Sequence, residues 1–250
     1  DITSTGFKLT TNSEQTNKNN AQYIYMAIRA PMMVEPSAAT DVFAIDRPSS
    51  SGTLTVESGF PIDLVMVKGT SAGNANYTGT RLTGKTLYPH TNGAEFAVGH
   101  SFDFNDKTTI AGSGDYSAWI SWMWKRAKGY MDVVAYTGNG TNPQDVHHSL
   151  SVIPEMVWHK KRSATSVWKI WHKDAQAGGD EDDGLQFDND TIFADAFYTI
   201  NITGNSDYIR MGSSGSNFNG SGITYIAYLF ATLAGISKVG SYVGNGTNQI

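Results

Sequence analysis

The 250-residue sequence contains no cysteine, which excludes a disulfide framework, a Cys-ligated zinc site and a thiol nucleophile together. Charge is scarce: Asp, Glu, Lys and Arg make up 16% of the chain, against roughly 25% in an average soluble protein. Its 18 basic residues are outnumbered by 23 acidic ones, giving a formal net charge of −5. No Lys/Arg cluster stands out, so a nucleic-acid binder, which needs a basic footprint to displace counterions, is excluded. The longest apolar stretch, 223–233, is shorter than the about 20 residues that cross a bilayer, and no membrane insertion is expected. Asp1-Ile2-Thr3 opens the chain without an initiator Met, a basic segment or an apolar run. No signal peptide is visible there, and we expect a soluble segment cut from a longer chain. What is present in quantity is glycine (26) and aromatic surface, with 6 Trp, 12 Tyr and 11 Phe. A chain this aromatic is not disordered, and its length allows one or two domains with real cores.

An internal repeat organises the sequence. Tyr136-Thr137-Gly138-Asn139-Gly140-Thr141 aligns with Tyr242-Val243-Gly244-Asn245-Gly246-Thr247. Without a gap, Trp119, Ile120, Trp122, Met123 and Trp124 then fall opposite Tyr225, Ile226, Tyr228, Leu229 and Phe230, and Gly129 opposite Gly235. Asp63-Leu64-Val65-Met66-Val67-Lys68 matches Glu155-Met156-Val157-Trp158-His159-Lys160, each soon after a proline, Pro61 or Pro154. A partial third copy lies at the amino end, where Phe7-Lys8-Leu9 matches Ile209-Arg210-Met211 and Tyr23 matches Tyr225. Tyr23, Trp119 and Tyr225 are 96 and 106 residues apart, so the repeating unit is about one hundred residues long. We expect the end of a first β repeat over 1–45, a second over 46–136 and a third over 137–250.

Short β-branched and aromatic runs bounded by Gly, Asn, Ser and Asp predict strands at 64–68, 119–125, 131–136, 156–160, 167–171, 197–202, 208–211, 223–231 and 238–243. The runs at 119–124 and 225–230 are apolar at both alternating sets of positions, which predicts interior strands covered on both sides. A helix competes there, because periodicity alone does not settle a short apolar run. The flanking glycine-rich turns and the aromatic content favour strand. The fold class expected is all-β, with tandem antiparallel β-sandwich units of jelly-roll, concanavalin A-like type.

Four blocks carry a family resemblance: Ile2-Thr3-Ser4-Thr5-Gly6-Phe7-Lys8-Leu9, Pro154-Glu155-Met156-Val157-Trp158-His159-Lys160-Lys161, Thr224-Tyr225-Ile226-Ala227-Tyr228-Leu229-Phe230, and the most specific, residues 235–247. They resemble a repeated domain of virion structural proteins of tailed bacteriophages, especially marine and cyanobacterial phages. That resemblance implies concanavalin A-type or laminin-G-type sandwiches in a tail fibre or other exposed virion component. It further implies location on the virion surface, contacts with other virion proteins, homo-oligomerisation, and a structural or host-attachment role. The Trp-rich stretch 117–125 and Phe60 before Pro61 depart from the pattern.

Few residues offer chemistry. The acidic loop 178–183 and Asp188-Asn189-Asp190 supply hard oxygens of the kind calcium takes, with Asp182, Asp183, Asp188 and Asp190 as candidate ligands. Against this, the spacing is not that of an EF-hand, the other unit lacks the run, and clustered like charges are ordinarily a solvated loop. His159 and His172, with Glu155 and Asp174 nearby in sequence, form a conceivable acid/base or metal group, although Val67 replaces His159 in the other unit. His147 and His148 are adjacent and would point to opposite faces of a strand. Close acid pairs suited to glycoside hydrolysis are limited to Asp103/Asp106 and Asp188/Asp190. No zinc-protease helix, nucleophile elbow or P-loop spacing occurs, and no enzymatic activity is expected. An alternative reading is a lectin recognising host surface glycans through exposed aromatics. Trp168 and Trp171 have opposite parity on one predicted strand, so one is expected to face outward, and Trp168, Trp171, Asp188 and Asp190 are the candidate ligand-binding residues of that reading. A polysaccharide hydrolase is the third reading.

Overall fold

The computed structural model describes residues 2–3, 6–7, 17–23, 33–48, 51–70, 76–97, 100–102, 107–115, 118–141, 143–175, 184–187, 200–201, 206–212 and 217–246. Residues 1–32 and 33–250 form two separate compact units. In the first, β1 (Ile2–Thr3) pairs antiparallel with β2 (Gly6–Phe7), and the Lys18 amide donates to the Tyr23 hydroxyl at 2.9 Å.

The second unit is all-β; among the described residues its only helical segment is a single 3-10 turn, Ala39–Asp41. One group of strands comprises β3 (Phe43–Asp46), β4 (Ser51–Glu57), β5 (Leu64–Gly69), β6 (Asn76–Thr80), β7 (Thr86–Leu87), β8 (His100–Ser101), β9 (Lys107–Asp115) and β10 (Trp119–Trp124). The next comprises β11 (Met131–Thr137), β12 (Gln144–His147), β13 (Met156–Lys161), β14 (Lys169–His172), β15 (Gly184–Leu185), β16 (Ile200–Asn201), β17 (Tyr208–Met211) and β18 (Thr224–Phe230). Each group builds a five-stranded and a three-stranded antiparallel sheet. The orders are β3-β10-β5-β6-β7 with β4-β9-β8, and β11-β18-β13-β14-β15 with β12-β17-β16.

The two groups agree in register as well as in order. Trp124 pairs with Leu64 and Phe43; Phe230, at the aligned position, pairs with Met156 and Met131. Further out, Thr78 pairs with Leu87 as Ile170 pairs with Leu185. The closing bonds recur too. The Asp63 amide donates to Trp124 O (2.9 Å) and the Glu155 amide to Phe230 O (2.8 Å). A one-residue slip would invert every side chain, so such agreement pins the alignment of inward and outward faces.

Inward residues of each pair of sheets make one core. In the first, Leu54 and Val56 of β4 meet Val65, Val67, Trp119 and Met123. In the second, Val146, Ile209 and Met211 meet Val134, Val157, Trp171, Ala227 and Leu229. A third cluster joins the groups: Val42, Leu64 and Leu87 pack with Met131, Val133, Trp168, Ile226, Tyr228 and Phe230. This seam covers the outer face of the second five-stranded sheet. Consequently β18 is buried on both faces from Tyr225 to Phe230, whereas β10 alternates between buried and half-buried residues. The expectation of double coverage holds for β18 and is corrected for β10, whose outer face carries Ile120, Trp122 and Trp124 half-exposed.

Two further sequence expectations change. The strands β3 and β11 straddle the boundaries drawn at 45/46 and 136/137, and β11 runs directly from the turn after β10 to become the edge strand of the next sheet. No strand forms at 238–243, whereas its counterpart β11 lies against β18. The run predicted at 197–202 is described only as β16.

Candidate functional site

The polar side chains of the second sandwich gather at the end of its inner face where β11 and β18 meet the loop 217–223. Strand alternation places Tyr136, Tyr225, His159, Lys161 and Lys169 there from four neighbouring strands. Tyr136 Oη donates to the Phe218 carbonyl at 2.7 Å and lies 2.8 Å from His159 Nε2. A phenol has one proton to give, so His159 Nε2 is the donor in the second bond, and the imidazole is the neutral Nε2–H tautomer. Burial, with the charges of Lys169, Lys160 and Lys161 adding to it, lowers the His159 pKa to about 3. Burial and the neighbouring Tyr225 push the Tyr136 phenol well above its ordinary range. The His159 ring lies 4.7 Å from Phe218, Tyr136 stacks on Tyr225 at 5.0 Å, and Lys169 Nζ stands 4.9 Å from the centre of the Phe218 ring.

The same end is fastened by the Gly-Asn-Gly-Thr turn. Asn219 Nδ2 donates to Asn139 Oδ1 and to the Thr141 carbonyl, while the Asn139 amide donates to Asn219 Oδ1. Gly138 is required here: a Cβ would run into the Gly220 carbonyl oxygen and approach the Asn219 carbonyl carbon to 2.9 Å. Tyr225 Oη accepts the Gly220 amide at 2.8 Å. Tyr136, Tyr225, Lys169 and the Asn139–Asn219 pair therefore hold the loop to the sheet. A general acid or base works best with a pKa near the operating pH, and His159 is far below that range and shut inside aromatic rings.

The histidine–carboxylate group expected from the sequence does not assemble. Met156 pairs with His172 and His159 with Lys169, three positions apart on β13, so the two imidazoles lie on opposite faces of the sheet. His172 Nδ1 accepts the Asp174 amide in an exposed turn. Glu155 bonds Lys173 Nζ at 3.0 Å and the amide and hydroxyl of Thr232. Burial raises its pKa, but the bonds from Thr232 and Lys173 outweigh that and hold the carboxyl below its usual range. Asp63, its counterpart, accepts the Arg126 amide at 2.8 Å. Both acids tie down the chain as it leaves the last strand of a sheet.

Trp168 and Trp171 are both buried, with 2% and 7% of their surface exposed, which corrects the expectation that one faces outward. Their parity is opposite as read, but both faces of this sheet are covered. Trp171 enters the sandwich core; Trp168 enters the seam, stacks on Tyr228 and donates from Nε1 to the Tyr88 carbonyl at 2.9 Å. Neither presents a face to a sugar ring. Asp182, Asp183, Asp188 and Asp190, and with them the carboxylates Asp103 and Asp106, lie outside the described residues. Among the described residues no three His, Asp or Glu side chains converge on a metal position.

Sequence reading missed the polar part of the seam. Lys160 is fully buried and donates from Nζ to the carbonyls of Gly93 (2.8 Å), Lys161 (3.1 Å) and Asn92 (3.4 Å). Burial, then the Lys161 charge, lowers its pKa to about 8. Arg162 holds Glu95 with two bonds, at 2.8 and 3.2 Å. The available signal was three successive cations, 160–162, closing an otherwise apolar strand.

Comparison with curated proteins finds no match, and comparison with solved structures likewise finds none. The sequence matches the family described as Domain of unknown function (DUF7483) over residues 47–249, and the chain belongs to that family.

Proposed function

We propose that this chain is a non-enzymatic structural module of a tailed-bacteriophage virion, part of a tail fibre or another exposed component, where it serves as scaffold or host-attachment element. The observation that carries the reading is the fate of its chemistry-bearing side chains. His159, Tyr136, Lys160, Asp132 and Glu155 are each engaged in holding a loop, a strand end or the seam. Energetically the seam is hydrophobic: each fully buried aliphatic or aromatic side chain contributes about 1.5–3 kcal/mol, whereas an exposed pair such as Lys85–Glu95, 3.4 Å apart, contributes about 0–1 kcal/mol. Sandwiches docked in this way make a stiff array, and many copies on one particle would convert weak contacts with virion neighbours or host glycans into avidity.

Immuno-electron microscopy of intact particles with antibodies raised against the chain tests the assignment. Decoration of an exposed virion part is expected; particles that carry no label while the antibodies recognise the isolated chain would overturn it. A glycan array then separates attachment from pure scaffolding: bound sugars would support attachment, and an empty array would leave the scaffold role alone.

A further inference from the structure

The turn after β18 repeats, bond for bond, the turn after β10. In the earlier one the Tyr130 and Met131 amides donate to the Ala127 carbonyl, both at 3.2 Å, and the Ala127 amide donates to Met131 O at 3.0 Å. In the later one the Ile236 and Ser237 amides donate to the Leu233 carbonyl, both at 2.9 Å, and the Leu233 amide donates to Ser237 O at 3.2 Å. Gly129 and Gly235 supply the left-handed residue, with φ of 70° and 77°. From the earlier turn the chain emerges as β11 and lies along β18 as the edge of the next sheet. From the later one it emerges as residues 237–243, which enter no sheet.

The two exits coincide for their first residues. Val133 and Val239 both join the seam cluster, 1% and 9% exposed. They differ beyond it. Tyr136 is packed on Tyr225, whereas its counterpart Tyr242 is 87% exposed. We propose that residues 237–243 are the first strand of a third module of the same plan, and that they form a docking edge for that module's last strand, a segment of the Thr224–Phe230 type with an aromatic at the place of Tyr225. The first junction shows what covers such a strand. A second copy of this chain does not fit, because both edges of its β18 are already occupied, by β11 and by β13; the occupant is a module that has no first strand of its own. This goes beyond the virion reading and holds whatever particle carries the chain.

The test is a polypeptide in which residue 243 is followed directly by a second copy of residues 138–236, which lacks only the first strand of its large sheet. Amides 238–243 should exchange at least about 100-fold more slowly than in the 250-residue chain, as for ladder bonds in a folded sheet, and Tyr242→Asp should reverse the gain. A companion polypeptide gives the added copy its own residues 131–137 after residue 243. The proposal is overturned if the added copy folds in the companion but not in the direct fusion. It is equally overturned if the copy folds in the direct fusion while amides 238–243 exchange as before.

Discussion

The two sandwiches share strand order, register and closing bonds, yet they fill equivalent positions with different chemistry. Where the second has Asp132, His159 and Ala227, the first has Ala44, Val67 and Ser121. The first two exchanges put a bonded polar group into the second sandwich. Asp132 is fully buried, 2.5 Å from Arg126 Nε, and accepts the amides of Val133 and Ser149. The third runs the other way: Ser121 is fully buried and its hydroxyl finds no partner, while Ala227 leaves nothing to satisfy. The backbone plan thus tolerates either chemistry at these sites: Asp132 and His159 arrive with their partners, and a single unsatisfied hydroxyl at Ser121 is carried without a change of register.

Exchanging residues between the sandwiches sharpens that contrast. Asp132→Ala, which writes the residue of the first sandwich into the second, should cost the most. It strips a half-buried Arg126 and two amides of their acceptor, a loss of about 3–5 kcal/mol, read as a shift in the denaturation midpoint at unchanged slope. A loss below 1 kcal/mol would mean that the pair contributes little to the sandwich.

His159→Val should cost about 1–2 kcal/mol at pH 7, through one hydrogen bond and some lost volume, but its signature is in acid. Folded His159 takes its proton only near pH 3, against an ordinary value of 6.5. Between those values the unfolded chain binds more protons, so stability is complete above about pH 6.5 and drains away as pH falls. Melting temperature followed from pH 7 to pH 4 should fall less steeply in the variant than in the parent. Parallel curves would show that another group governs the acid response. The smallest effect belongs to Ser121→Ala, expected to raise stability by about 1 kcal/mol by removing an unsatisfied buried hydroxyl; a decrease would reveal a bond to that hydroxyl.

Much of the fold was legible because apolar identity survives repetition. Trp119 aligns with Tyr225 and Asp63 with Glu155 by residue type alone; the ladders place the first pair at matching registers, and the closing amide bonds place the second. What stayed hidden was the identity of the covering layer. Alternation says that 225–230 is apolar on both faces, but not that Leu64, Leu87 and Val42 lie across one of them. The same blindness misplaced Trp168, since opposite parity exposes a side chain only on a sheet with one open face. Residues 238–243 have strand propensity in full, and a strand also needs a neighbour. The candidate site was legible in residue types and not in environment. The sequence offers His159 as a titratable group; its burial among Tyr136, Phe218 and Tyr225, with three lysines nearby, makes it inert.

In the second sandwich the entering and leaving residues are direct neighbours: Met131 pairs with Phe230, at one end of an antiparallel pair. In the first, Phe43 pairs with Trp124 in the same way. Tension along such a chain would bypass the body of each sandwich and fall on that corner, which in the second lies inside the seam. Once the corner opened, the ladder would peel apart one bond at a time instead of shearing as a row. A string of these modules is built to be braced by its neighbours, and poorly built to serve as a tether.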